Sequence, residues 1–207
     1  MNRIIYTLTL LSVISVGMLV GVATATAQTA PRDRGFYTGM RFQGTHLSGI
    51  SSEDGTFRVK EDGAGAQLYL GYSFNPVFSM ELDLGGATHE TSDPAIDVDM
   101  GSIQLLMHYR FRPGHGFRPF VKGGLAGYSL AFRNTPGNIR LEGGGVPVGV
   151  GFDYFFTRHF SIGLDASHNI IKYENAVADI GGASTVSVDI DAEGSMTALG
   201  MNVAFYF

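Results

Sequence analysis

The chain contains no cysteine and no tryptophan. Without cysteine there can be no disulfide, no thiolate-bound zinc and no thiol nucleophile. Charge is scarce as well, at 16% against roughly 25% in ordinary soluble domains. Beyond residue 27 no apolar run is long enough for a spanning helix. The patterns G-x-S-x-G and H-E-x-x-H are missing, as is a glycine loop that would cradle phosphate. No basic patch of the kind that grips nucleic acid is present.

What is present is unusual in its own way. The 207 residues hold 29 Gly, 15 Phe and 9 Tyr, a composition that fits a lipid-embedded barrel of strands better than a helical protein. Residues 1–27 read as a secretory signal peptide: Arg3, an apolar run over 8–22, and an A-x-A cleavage site at Ala25-Thr26-Ala27. Its removal would take away Arg3 and leave the chain one unit more acidic than the full-length −5. Residues 28–34 read as a short periplasmic lead-in to a barrel over 35–207.

The last segment organises the rest. Leu199, Met201, Val203, Phe205 and Phe207 recur at every second position, between Ala198, Gly200, Asn202, Ala204 and Tyr206. This is the period of a strand with one face in an apolar medium. Left unpaired in water, such a strand would be an aggregation hazard. It is expected to close a barrel by pairing with the first strand, its apolar face toward lipid. Seven further alternating segments precede it, at 35–44, 62–74, 77–88, 98–111, 117–132, 143–156 and 160–173. The connections alternate, with long ones over 45–61, 89–97, 133–142 and 174–193 and short ones after the second, fourth and sixth segments. That asymmetry is expected of an antiparallel eight-stranded transmembrane β-barrel with tight periplasmic turns and longer outside loops.

The polar faces carry Arg41, Glu81, Asp83, His108, Arg110, Lys122, Asp153 and Asp165. On a lipid-facing surface each cation would cost roughly 2–4 kcal/mol near the midplane. The alternation instead points these residues inward, as a paired lumen network. An eight-stranded barrel is just wide enough for side chains to fill, so the expectation is a plugged lumen. The outside connections are acidic, with Glu53, Asp54, Asp62, Glu90, Asp93 and Asp97 among their charges. The periplasmic turns are assigned Arg112, Arg118 and Arg158. Acidic loops of this kind could be bridged to lipopolysaccharide by divalent cations. Asp189, Asp191 and Glu193 would share one face of an extended strand, but without the spacing of a Ca²⁺ loop they are read as solvated charges, and no metal or cofactor is expected.

The histidines are the residues that could serve as catalytic bases. His46 and His89 are placed in loops, His115 and His159 in turns, and His108 inside. Ser167-His168-Asn169 brings together the residue types of a lipid A deacylase in the wrong order. Neighbours on a strand face opposite ways, so Ser167 and His168 cannot share a proton. The chain is therefore expected not to be an enzyme.

Several stretches resemble one family. Gly35-Phe36-Tyr37-Thr38-Gly39-Met40, Arg118-Pro119-Phe120-Val121, and Val150-Gly151-Phe152-Asp153-Tyr154-Phe155 running into Phe160-Ser161-Ile162-Gly163-Leu164-Asp165 are similar to the small outer-membrane barrels. That group spans the barrel of outer-membrane protein A, outer-membrane protein X, the opacity adhesins and porin-like proteins. The resemblance implies a monomer in the outer membrane of a Gram-negative cell. It also implies an assembly signal at Phe205 and Phe207, read by the barrel-assembly machinery. No peptidoglycan-binding domain is expected after the barrel. The implied role is structural or surface-interacting, through loops that meet lipopolysaccharide or a host ligand. A narrow channel for small or apolar solutes is the alternative, and a lipid A-modifying enzyme the third reading.

Overall fold

The computed structural model describes residues 34–48, 59–91, 97–111, 113, 115–133, 138–180 and 184–207. The expected signal peptide, nearly all of the expected lead-in, the middles of the four long connections, Arg112 and Gly114 lie outside these residues. Eight strands follow in order: β1 (Gly35–Ser48), β2 (Val59–Ser73), β3 (Phe78–Thr91), β4 (Asp97–Arg110), β5 (Phe117–Arg133), β6 (Asn138–Phe155), β7 (Phe160–Ile180) and β8 (Ser184–Tyr206). Each pairs antiparallel with its neighbours, and the sheet closes into one barrel. The closing seam runs from Tyr37 opposite Tyr206 to Ser48 opposite Ser195. Closure gives every strand two neighbours, which is what a sheet without an aqueous edge requires.

Alternation sets the wall. Leu68, Leu70, Leu82, Leu84, Ile103, Leu105, Val150, Leu164 and Leu199 all face outward and are exposed, Leu199 at 68%. In water this belt would be a large apolar surface; in a bilayer it meets hydrocarbon. At the short-turn end the outward positions are aromatic and touch edge to face. Phe36 lies 4.9 Å from Tyr72, Phe78 5.1 Å from Tyr109, and Phe205 5.4 Å from Phe207. Such rings suit the boundary between acyl chains and headgroups.

Two of the three short turns have visible local causes. Asn75 Oδ1 accepts from the backbone N–H of Val77 and of Phe78, both at 2.8 Å, an Asx-type turn. Thr157 Oγ1 accepts from His159 N at 3.2 Å. At the seam Gly35 has φ 137°, a conformation that a side chain rarely adopts, and Phe207 N donates to Phe36 O at 3.0 Å.

The strands run further than the sequence pattern suggests. The connection expected over 174–193 is largely ladder, with Asn175 opposite Asp189 and Asp179 opposite Thr185. Residues 138–142, expected in a loop, belong to β6. His46 and His89, also assigned to loops, sit on β1 and β3. The physical reason is a change of solvent rather than of backbone. Beyond the apolar belt the outward residues become polar, which looks like the end of a strand, while the inward ones turn apolar and the ladder continues.

Candidate functional site in the barrel lumen

The inward faces build three layers. At the short-turn end Tyr37, Tyr69, Phe155, Ala204 and Tyr206 form a buried cluster. Tyr37 stacks on Tyr206 at 4.9 Å, and Phe155 packs on Tyr206 at 5.0 Å. Two cations cover these rings, Arg110 5.4 Å from the Tyr37 centroid and Arg118 4.9 Å from that of Phe155. Arg110 Nη1 also donates to Ser79 Oγ at 2.7 Å. Arg118 is thus an interior residue, 2% exposed, and not the turn residue that the sequence suggested. It precedes Phe120 and Lys122 by even steps, so it shares their inward face.

The middle layer is ionic. Arg41 reaches Glu81 Oε1 at 3.0 Å, Asp83 Oδ2 at 2.5 Å and Asp165 Oδ1 at 3.0 Å. Its Nη1 also donates to Gln67 Oε1 at 2.7 Å. Lys122 Nζ contacts the other oxygen of Asp165. Arg110 Nε lies 3.7 Å from Asp153, an ion pair too long to be a hydrogen bond. His108 stands 3.5 Å from Glu81 and leans on the ring of Phe120. The structure places all eight residues of the expected network inside the wall, each 8% exposed or less. Removing charges from water costs several kcal/mol per ion unless they are paired and hydrogen-bonded. One guanidinium shared by three carboxylates, with Lys122 on the third, offsets part of that cost, while Asp83 Oδ1 and Arg110 Nε make no hydrogen bond. Gln67, Gln104 and Asn202 are among further buried polar residues on inward positions and lie outside the expected network. The gap left in this layer is about 10 Å³, room for roughly one water.

Above the charges the lumen turns apolar. Leu47, Val98, Met100, Tyr128, Leu130, Phe132, Ile171, Tyr173 and Met196 form one buried cluster. The Tyr128 hydroxyl donates to Asn169 Oδ1 at 3.0 Å, and Asn169 Nδ2 donates to Met196 O at 3.0 Å, which pairs these two side chains at the boundary. No sequence reading anticipated this dry upper core.

His168 is exposed on the outer wall. Its Nδ1 lies 3.0 Å from Thr197 Oγ1. That partner is on β8 and not on its own strand. Among the described residues no group of three or more His, Asp or Glu side chains could hold a metal ion. Asp189 and Glu193 lie on β8 and not in a loop, opposite Asn175 and Lys172.

The family described as outer membrane protein beta-barrel domain matches residues 15–207. Outer membrane porin F of Pseudomonas aeruginosa is 28% identical over 120 residues, which are 53% of this chain and 34% of that protein. The chain therefore spans about a third of that curated relative. Among solved structures, the outer membrane protein OprG of Pseudomonas aeruginosa gives a TM-score of 0.59 at 16% identity, covering 86% of this chain and 99% of its own. Neisserial surface protein A gives 0.57 at 16% identity over 84% and 97%. Ail, the attachment invasion locus protein of Yersinia pestis, gives 0.51 at 14% identity over 84% and 100%. At these identities the likeness is one of fold.

Proposed function

Since the chain belongs to the outer membrane protein β-barrel domain family, and so resides in the cell outer membrane, we propose that it acts as a closed anchor that holds its outside connections at the cell surface. The observation that carries this reading is the lumen, filled in turn by aromatic rings, an ion-paired layer and an apolar core. A hydrated ion entering it would have to displace paired charges and then shed its water. The role is non-enzymatic. Ser167 and His168 lie on neighbouring, opposite-facing positions, and the histidine is engaged by Thr197. The surface offered outside is acidic, so cationic or cation-bridged contacts, including those with lipopolysaccharide, are favoured over polyanions. Assembly would begin at the seam, where Phe207 is hydrogen-bonded to β1.

The apolar upper core gives some support to a second reading, slow passage of small apolar solutes. Planar-bilayer recording on the refolded barrel tests the first, with a silent membrane expected and discrete reproducible openings overturning it. Uptake of an apolar dye into proteoliposomes tests the second. Rates equal to protein-free vesicles are expected, and a protein-dependent increase would favour the channel.

A further inference from the structure

The geometry points to a lipopolysaccharide acyl-chain site on the outer wall of the barrel, between β5 and β8. A groove of about 460 Å³ lies there, lined by Val121, Val148, Val150, Ala166, His168 and Thr197 among others. It exists because these outward side chains are short. In register, Val121 faces Val150, Val150 faces Ala166, and Ala166 faces Leu199. Larger side chains bound it: Leu125, 69% exposed, one outward step past Gly123 on β5, and Leu164 and Leu199 on β7 and β8. The groove sits within the apolar belt, so hydrocarbon must fill it.

Its far end is polar. The next row up reads Val148, His168, Thr197, His46 and Asp62, each opposite the next around the wall. Thr197 engages His168 Nδ1 at 3.0 Å, and Asp62 engages His46 Nδ1 at 2.8 Å. With Nδ1 occupied, His168 Nε2 is the nitrogen left for a ligand, and it can donate to a phosphate or sugar oxygen. This row lies on the long-connection side of the belt, away from the short turns and the chain ends. On that side of an outer membrane the leaflet is lipopolysaccharide. The site thus has a slot for a chain and, one row nearer the long connections and their headgroup layer, a hydrogen-bonding pair. The inference rests on the lipid-embedded reading of the barrel and narrows its lipid partner to one position.

Native mass spectrometry of the refolded full mature chain in detergent tests it, with hexa-acylated, bis-phosphorylated lipid A as the probe and phosphatidylethanolamine as the second lipid. Ala166→Trp fills the slot, while His168→Ala with Thr197→Val removes the polar pair. Leu84→Trp, on the distant β3 wall, serves as the control. Retention of lipid A is expected to fall roughly ten-fold in the double variant, about what one or two lost hydrogen bonds predict, and at least as far in Ala166→Trp, where the slot is closed. The control should retain it, and phosphatidylethanolamine should be indifferent to all three. Equal lipid A retention in every variant, or the same dependence for phosphatidylethanolamine, overturns the assignment. The double variant keeps the test open should Ala166→Trp fail to refold. Heat-modifiable gel migration, scored on the same samples, reports separately on whether the barrel itself has formed.

Discussion

Arg41 joins β1 to β2, β3 and β7 through a single guanidinium. Replacing it with Met keeps the volume but leaves Glu81 and Asp83 buried without their cation. Breaking such a set is expected to cost about 3–5 kcal/mol, read as a lowered urea midpoint of the refolded barrel with its gel shift retained. A change below 1 kcal/mol would show that the carboxylates find other partners. Glycine matters here through the space it leaves. A Cβ on Gly71 would lie 2.0 Å from the Tyr37 ring, and one on Gly39 2.3 Å from the Tyr69 ring. Each glycine sits directly opposite the tyrosine it seats. Gly71→Ala should therefore unseat Tyr37 from Tyr206 and cost about 1–3 kcal/mol, as overpacking does. Gly44→Ala, with nothing within 4 Å of its added carbon, should be nearly silent in the same titration. Inward charges other than Arg118 were legible in the sequence because parity alone assigns a face. The His168–Thr197 pair was not, since its members are 29 residues apart and only the register of β7 on β8 brings them together.

At the level of elements, eight strands, their faces and the side of the short turns could be read from alternation and turn chemistry. Strand ends could not. β7 has 21 residues and β8 has 23; their outer parts pair with each other, and that of β7 also pairs with the start of β6. A pattern reading stops where outward residues turn polar, yet a ladder needs only hydrogen bonds and one dry face. This outer hairpin is expected to be separable from the barrel. Joining Tyr173 to its ladder partner Ala192 through a two-residue Asn-Gly turn removes it while keeping Ile171, Tyr173 and Met196 in the upper core. The shortened chain should refold with an unchanged heat-modifiable shift and lose less stability than Arg41→Met. Failure to refold would place the hairpin among the elements that hold the wall together.

For the whole molecule, the polarity of the wall inverts along its axis. Low on β4, Leu105 and Met107 face out while Gln104 and His108 face in; high on the same strand Asp99 faces out while Val98 and Met100 are buried. β7 does the same, from Leu164 outside and Asp165 inside to Lys172 outside with Ile171 and Tyr173 inside. The lower part is a membrane barrel with polar contents, and the upper part resembles a water-soluble barrel with an apolar core. Both follow from one rule: each face matches the medium it meets, and the interior takes what the exterior does not need. Because the chain has no cysteine, single introduced cysteines can carry spin labels without a background. Labels at Leu84, Leu105 and Val150 in lipid vesicles should relax more with oxygen, which partitions into hydrocarbon, than with a water-soluble nickel chelate. Labels at Asp99, Lys172 and Glu174 should show the reverse. The crossover on β7 should fall between Leu164 and Lys172, the stretch that holds His168. A uniform hydrocarbon signature up to Glu174 would place the upper core inside the bilayer. The acidic outward residues there would then need partners that the wall does not supply.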